Sequence, residues 1–159
     1  MKIVFFEVPK IDQDIFIKSF SDIEVSFYED NLNENNKDLA KDADIISIFV
    51  DSNVSKNVID HIPDLKFIAT RSTGFSHIDY EYAISKGIKI SNVPAYGSHT
   101  VAEFAFGLIL NLSRKIQNIN SYLRETLDYN YLPWMEGFNL EVKTLGVIGT
   151  GKIGKNVIK

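Results

Sequence analysis

Residues 44–50, DIISIFV, form a continuous run of mostly β-branched, apolar side chains. A strand with one face in water alternates polar and apolar residues, whereas a continuous run is typical of a strand buried on both faces. Such strands belong to parallel sheets that helices cover on two sides. Residues 44–50 therefore predict a strand of an α/β protein that is buried on both faces.

Shorter apolar runs around this stretch predict further strands, at residues 2–8, 23–28, 66–70 and 88–91. Helical patterns lie between them, at residues 12–20, 34–43, 55–62 and 79–86. Strands that alternate with helices predict a parallel sheet with helices on both faces. We expect the flavodoxin-like strand order, which is common for a doubly wound sheet of this size. Residues 1–99 are assigned to this first domain.

The chain changes character after residue 99. Thr100 and Glu103 have the spacing of a capping box, in which Thr100 caps a helix and Glu103 reaches back to it. The helix is expected over residues 101–115, and we expect it to be buried because it is apolar nearly all round as far as Leu112. A more polar helical stretch follows, so residues 100–127 are assigned to an interdomain helical segment.

Residues 128–159 predict the start of a second domain. An irregular aromatic stretch precedes a predicted strand at residues 144–148, which runs into the glycine pattern GTGKIG. In a dinucleotide-binding turn, Gly149 makes the turn, Gly151 admits a pyrophosphate, and Gly154 allows close packing. Amides at the following helix N-terminus then bind phosphate. We expect a Rossmann domain that binds NAD, with a chance glycine turn as the alternative.

Only the beginning of that domain lies within the sequence. A dinucleotide-binding βαβ unit takes about 30 residues or more, whereas five residues follow Gly154. We therefore expect an N-terminal fragment whose Rossmann domain is truncated. The acidic residue that would bind the adenine ribose belongs about 20 residues further on, so the sequence does not distinguish NAD from NADP.

Two loops carry candidate substrate-binding groups. Ser72, Thr73 and Gly74 follow the fourth predicted strand, and open α/β sheets bind ligands at the carboxyl ends of their strands. Their amides and hydroxyls could hold a carboxylate; the alternative is an ordinary turn before a helix capped by Asp79. Tyr96 could direct its hydroxyl into a cleft or pack under its loop.

Composition narrows the classes of partner and chemistry. The chain has 17 basic and 21 acidic residues, a net charge of −4, and no basic stripe, which disfavours nucleic acid. No apolar run reaches the roughly 20 residues of a membrane span, and no cysteine is present. His61, His77 and His99 lack metal-ligand spacing and are expected at the surface or at helix ends. Arg71 is expected to pair with a nearby carboxylate; the alternative is that it attracts an anionic substrate. We expect a soluble, cytoplasmic protein without a nucleic-acid or membrane partner.

Together these motifs resemble a known family. The resemblance rests on RSTGFSHID at residues 71–79, GIKISNVPAY at residues 87–96, the helix from Thr100, and LGVIGTGKIG at residues 145–154. These segments are similar to the NAD-dependent D-isomer-specific 2-hydroxyacid dehydrogenases, in particular the D-lactate dehydrogenase-like branch. The resemblance implies two domains, interconversion of a 2-oxo acid and a D-2-hydroxy acid with NAD as cofactor, and a homodimer of the full-length protein.

The resemblance also implies roles for individual residues. Ser72, Thr73, Gly74 and Tyr96 would bind substrate. The residues implied at the cofactor are Thr73, Thr100, Gly149, Gly151, Lys152, Ile153 and Gly154. The catalytic arginine, acidic residue and histidine of the family have no matching position up to Lys159, and neither His77 nor His99 takes that role. We therefore assign no catalytic residue and expect these 159 residues alone to be inactive.

Proteins of two other functional classes are alternatives. A receiver-like signalling module has the same kind of sheet, and Asp51 could mimic its phosphoacceptor. Such a module also needs an acidic cluster after the first strand and a lysine after the fifth, and neither is present. The other alternative is a vestigial or small-acid-binding flavodoxin-like module that keeps the fold without catalysis.

Overall fold

The computed structural model describes residues 1–159, which divide into two units. We call Met1–Tyr96 the sheet unit and Gly97–Lys159 the helical unit. All five β-strands belong to the sheet unit, whereas the regular structure of the helical unit is entirely helical.

The sheet is fully parallel and has the strand order β2-β1-β3-β4-β5. Its strands are β1 (Lys2–Phe5), β2 (Glu24–Phe27), β3 (Ile45–Ile48), β4 (Phe67–Thr70) and β5 (Lys89–Ser91). Ile46 of β3 lies in register between Val4 and Ile68 of its neighbours, and all three side chains are buried. The prediction of a flavodoxin-like parallel sheet is confirmed, and β3 is its central strand.

Helices connect the strands, as the alternation predicts. They are α1 (Lys10–Ser19), α2 (Lys56–Asp60) and α3 (Tyr80–Ser85). The predicted helix at residues 34–43 is wrong, because only a 3₁₀ segment forms there, at Lys37–Ala40. Asn36 accepts from the amide of Asn33, and Asn33 accepts from the amide of Asn35. Such side-chain bonds to nearby backbone compete with helix formation.

Both faces of the sheet carry apolar clusters. On one face Ile46 and Phe6 belong to the main core. On the other face Phe5 packs against Phe16 of α1 and Phe27 of β2, with ring centroids 4.9 and 5.0 Å apart. The sheet unit thus buries its apolar strands on two sides, which is the reason their sequences are continuously hydrophobic.

The helical unit contains α4 (Ser98–Arg114), α5 (Ile116–Thr126), a 3₁₀ segment (Pro133–Met135) and α6 (Lys152–Ile158). The predicted helical region is broken at Lys115, whose φ of 54° is left-handed. The predicted capping box is wrong, because Gly97 occupies the N-cap position and no side chain caps the helix. Thr100 therefore lies inside the first turn.

Two further expectations for the helical unit are corrected. The helix α4 is largely exposed, with Phe104 at 67% and Leu112 at 74%, since the neighbouring α5 and α6 cannot cover a helix that is apolar on all sides. Residues 144–148 form no strand, because none of the five strands pairs with them and an unpaired strand leaves its backbone groups without partners. No helix combines the length and the hydrophobicity that crossing a bilayer requires.

Candidate functional site

A polar network around Glu7 joins the strand ends of the sheet unit. Glu7 follows β1 in a left-handed conformation with φ 56°. Its carboxylate accepts hydrogen bonds from the amides of Phe49 and Asp51, both at 2.8 Å. It also accepts one from the hydroxyl of Ser52 at 2.5 Å. Because all three donors follow β3, Glu7 fixes the loop after β3 to the end of β1.

Arg71 adds the end of β4 to this network. Its guanidinium donates to the carbonyls of Phe6 and Glu7, at 2.6 and 2.9 Å, and to the hydroxyl of Ser47 at 2.8 Å. Burial lowers the pKa of Arg71 and the charge of Glu7 opposes this shift, and an arginine stays charged in either case. The expected carboxylate pairing is wrong in detail, because the carboxylate of Glu7 is occupied by other donors.

Residues 72–75, which we call the amide loop, follow at the carboxyl end of β4. The hydroxyl of Ser72 is buried and donates to the carbonyl of Gly74 at 2.7 Å. The hydroxyl of Thr73 donates to the carbonyl of Val93 at 2.8 Å. Both hydroxyls are thus engaged inside the protein, which corrects the expectation that they could face a ligand. Only backbone donors of this loop remain available.

Every carbonyl at the start of this loop accepts a hydrogen bond from the protein. The carbonyl of Ser72 accepts from the amide of Val93 at 3.0 Å. The carbonyl of Thr73 accepts from the side chain of Asn92 at 2.8 Å. In a trans peptide the next N–H points opposite to the carbonyl. The bound carbonyls of Ser72, Thr73 and Gly74 therefore turn the following amides away from the protein.

Those following amides, of Thr73, Gly74 and Phe75, donate to no group of the protein. All three residues are exposed, and a Cβ placed on Gly74 would meet no atom within 4 Å. Successive unpaired amides form a concave donor site for an anion. A carboxylate suits such a site because hydrogen bonds to an ionised acceptor are short and strong. The amide loop can therefore bind a carboxylate or another small oxyanion.

His77 and Asp79, which follow the amide loop, differ in part from their predicted positions and roles. His77 is half-buried, with Nε2 at 3.2 Å from the hydroxyl of Thr70, so it is more than a surface residue. Asp79 stands at the N-cap of α3, but its side chain makes no capping hydrogen bond. His61 lies 2.6 Å from Asp38 at the surface. No three histidine, aspartate or glutamate side chains converge closely enough to hold a metal ion.

Tyr96 ends the sheet unit and is 66% exposed, and its hydroxyl has no hydrogen-bond partner in the protein. The alternative that Tyr96 packs beneath its loop is therefore wrong. No hydrogen bond joins Tyr96 to the amide loop. Its role at a substrate pocket stays a prediction.

The helical unit carries the glycine turn, residues 149–154, which leads into α6. Gly149 has φ 93°, a conformation that side chains other than hydrogen disfavour. A Cβ on Gly154 would overlap with the carbonyl oxygen of Gly149. Gly151 has open space around it and directly precedes α6, which begins at Lys152. The turn geometry explains why glycine stands at these positions, and cofactor contact stays a prediction, as it does for Ile153 and Thr100.

Two residues of the site, Glu7 and Asn92, were not predicted from the sequence. Glu7 was included in the predicted strand at residues 2–8, although a carboxylate directly after an apolar run at a strand end was a usable signal. Asn92 directly follows the predicted strand at residues 88–91. Its contact with Thr73 joins two loops 19 residues apart, a pairing that no local pattern encodes.

Comparison with known proteins places this site in context. The model of the catalytic domain of D-isomer-specific 2-hydroxyacid dehydrogenases matches residues 3–157. A 2-hydroxyacid dehydrogenase homolog of Haemophilus influenzae is 35% identical, and the match covers 100% of this chain and 49% of that protein. An aromatic 2-oxoacid reductase of Clostridium sporogenes is 38% identical, with coverage of 100% and 49%. The chain thus spans about half the length of these relatives.

Solved structures of two D-lactate dehydrogenases superpose on this chain. A D-lactate dehydrogenase from Aquifex aeolicus, complexed with NAD and lactic acid, superposes with a TM-score of 0.89 and is 34% identical. The superposition covers 98% of this chain and 46% of that chain. The apo-structure of D-lactate dehydrogenase from Escherichia coli gives a TM-score of 0.79 and 32% identity, with coverage of 99% and 51%.

Proposed function

The chain belongs to the family of D-isomer-specific 2-hydroxyacid dehydrogenases, and from this membership we propose that it forms the substrate-binding part of an NAD(H)-dependent oxidoreductase. The full-length protein would interconvert a 2-oxo acid and a D-2-hydroxy acid of the lactate type. The observation that carries this proposal is the amide loop, with its unpaired, exposed amides at the carboxyl end of β4. That position is where parallel α/β sheets bind their ligands.

The substrate carboxylate is assigned to the amides of Thr73 and Gly74, with the adjacent amide of Phe75 as a third donor. Hydrogen bonds to a charged acceptor contribute about 1.5–3 kcal/mol each, so two amides suffice for weak, specific binding. The guanidinium of Arg71 is engaged by carbonyls and supplies a positive field rather than a direct contact. Ser72 contributes through its buried hydroxyl, which holds the carbonyl of Gly74.

Tyr96 is assigned to the substrate pocket and Thr100 to the cofactor. Tyr96 would line the substrate pocket, and the support for this is an exposed hydroxyl without a protein partner. Thr100 would contact the cofactor, and the resemblance gives Thr73 a cofactor contact of its own. In support, Thr100 is exposed in the first turn of α4, where helix amides have no intrahelical acceptors.

The glycine turn fits a dinucleotide pyrophosphate. Gly154 leaves no room for a Cβ, and Gly149 adopts a conformation that favours glycine. Residues Gly149, Gly151, Lys152, Ile153 and Gly154 would hold the pyrophosphate through their backbone. NADH, when bound, supplies the hydride that reduces the 2-oxo acid.

Reduction of a ketone also needs a proton donor close to the forming alkoxide. His77 is the histidine beside the amide loop, and its Nε2 is engaged by the hydroxyl of Thr70. We therefore propose that the general acid and a substrate-orienting cation come from chain outside these 159 residues. The 159 residues would bind the 2-oxo acid without turning it over.

The test is a titration of the ¹⁵N-labelled chain with pyruvate, followed by amide NMR, with NADH oxidation measured in parallel. We expect saturable movement of the Thr73 and Gly74 peaks and no NADH oxidation. Pyruvamide, which lacks the carboxylate, is the matched control and should leave both peaks in place. Thr73 and Gly74 peaks that stay in place when pyruvate is added would contradict the substrate assignment. NADH oxidation above that of a heat-killed sample would contradict the inactivity of this chain.

The same experiment on the full-length protein separates the two remaining functions. Turnover there supports the dehydrogenase, whereas binding without turnover supports a small-acid-binding module. A homodimer of the full-length protein remains a prediction from the family resemblance, and a cytoplasmic location remains a prediction from the composition. Light scattering on the purified full-length protein would test the homodimer.

A further inference from the structure

A series of hydrogen bonds, which we call the relay, lies behind the amide loop and runs from His77 through Thr70 and Ser72 to Gly74. The Nε2 atom of His77 is 3.2 Å from the hydroxyl of Thr70, which is 2.6 Å from the hydroxyl of Ser72. The Ser72 hydroxyl is in turn 2.7 Å from the carbonyl oxygen of Gly74. Thr70 and Ser72 are both 2% exposed, so water does not replace these bonds.

The number of protons on each group fixes which atom donates in every hydrogen bond of the relay. The carbonyl of Gly74 only accepts, so the single hydroxyl proton of Ser72 is directed to it. Ser72 must then accept from Thr70, whose single proton is used in that bond. The hydroxyl oxygen of Thr70 therefore accepts from Nε2 of His77, and Nε2 must carry a proton. In the neutral ring this leaves Nδ1 as the unprotonated nitrogen.

The relay also determines the orientation of one of the anion-binding amides. The relay holds the Gly74 carbonyl toward the protein, and in the trans peptide this turns the amide of Phe75 outward. The carbonyls of Thr73 and Ser72 are held by residues 92 and 93, and the carbonyl of Phe75 accepts from the amide of Ile78. The Gly74 carbonyl is the one held from within the loop itself, so its orientation depends on the relay.

We propose that His77 is a positioning residue, which donates from Nε2 into the Thr70–Ser72 relay and thereby sets the Gly74 carbonyl and the Phe75 amide for carboxylate binding. His77 does not touch the substrate in this role. The inference deepens the proposed function and rests on it for the identity of the ligand. The relay itself can be tested in the free protein.

The first measurement is a long-range ¹H–¹⁵N spectrum of the His77 ring in the 159-residue chain. We expect the Nε2–H tautomer when the ring is neutral. An Nδ1–H tautomer would overturn the proposal, because Thr70 would then have no donor. This outcome is independent of whether pyruvate binds, so it separates failure of the relay from failure of the proposed function.

The second measurement compares variants by amide NMR and by pyruvate titration. His77→Ala should move the Gly74 and Phe75 peaks and weaken pyruvate binding by about 3- to 10-fold, as expected for one lost hydrogen bond. His77→Gln can place a donor near the Nε2 position and should restore much of both signals. His61→Ala, at a surface histidine paired with Asp38, is the matched control and should leave the amide loop unchanged.

Two results would contradict the relay. One is a His77→Ala protein whose Gly74 and Phe75 peaks stay at their wild-type positions. The other is a His77→Gln protein that behaves like His77→Ala while remaining folded. If the wild-type chain does not bind pyruvate, the proposed function fails, and the tautomer and the peak positions still decide the relay.

Discussion

The sheet unit and the helical unit differ in how far their apolar residues are buried. In the sheet unit continuous apolar strands are covered on both faces, and Ile46, Ile48 and Ile68 are fully buried. In the helical unit α4 has a comparably apolar sequence, yet only Ala102 and Ser113 are buried. The same hydrophobic composition thus gives a core in one region and an exposed surface in the other.

The difference lies in partners rather than in local propensity. Each strand of the sheet unit has neighbours within these residues that accept its hydrogen bonds and cover its side chains. Residues 144–148 are equally strand-like in sequence, but no strand pairs with them. A local pattern therefore predicts what a segment can form, and the available neighbours decide whether it forms.

The largest effect on stability is expected for Ile46→Ala in the sheet unit, with Leu112→Ala as the matched change in the helical unit. Ile46 is fully buried in the central strand, whereas Leu112 is 74% exposed. We expect Ile46→Ala to lower the free energy of unfolding by about 2–5 kcal/mol, and Leu112→Ala to change it by less than about 0.5 kcal/mol. Urea unfolding followed by circular dichroism measures both. Equal losses would mean that α4 is packed as tightly as the sheet.

The next largest effect is expected at the polar network of the sheet unit. Arg71→Met keeps the aliphatic stem but removes the donors to Phe6, Glu7 and Ser47. Leaving such groups unpaired costs about 1–3 kcal/mol. Arg114→Met, which removes one long, exposed contact to Asn139, is the matched change in the helical unit and should be close to neutral. A neutral Arg71→Met protein would show that water satisfies the three acceptors.

Much of the sheet unit could be predicted from sequence because its signals are local. The run at residues 44–50 predicted a strand buried on both faces, and alternation with helices predicted the fold class. The same reasoning found the loop that holds Thr73 and Gly74, since strand ends are visible as the points where apolar runs stop. It failed at residues 34–43, where asparagine side chains bind the backbone in place of a helix.

The rest of the site depends on contacts distant in sequence. Arg71 reaches carbonyls more than 60 residues away, and Glu7 holds amides 42 and 44 residues away. No spacing rule connects such positions. The hydroxyls of Ser72 and Thr73 were expected to face a ligand because their inward partners, the carbonyls of Gly74 and Val93, are fixed only by the folded loops.

A change confined to the helical unit should have a local effect. Gly154→Ala places a Cβ against the carbonyl oxygen of Gly149 and must displace the glycine turn. Gly146→Ala is the matched control, because its added Cβ meets nothing within 4 Å. We expect Gly154→Ala to move the amide peaks of Gly149 and Gly151 without changing the urea midpoint of the sheet unit. A lowered midpoint would show that the two units unfold together.

The smallest effect is expected at a surface ion pair of the sheet unit. A hydrogen bond from Lys86 at 2.9 Å and one from Tyr82 at 2.7 Å lower the pKa of Asp60. Because the folded pKa lies below the unfolded value of about 3.9, Asp60 contributes stability above that value and loses it as the pH falls through the folded pKa.

Asp60→Asn should therefore reduce the loss of stability between about pH 5 and about pH 2, by a small amount because exposed pairs are screened by solvent. Asp22→Asn, at an exposed carboxylate without a hydrogen-bond or ion-pair partner, should leave the pH dependence unchanged. Urea midpoints at several acidic pH values measure the difference. If both variants keep the wild-type pH dependence, the acid sensitivity of the sheet unit arises from its other carboxylates, of which Asp44 has its pKa lowered by hydrogen bonds from Lys66 and from the amide of Lys2.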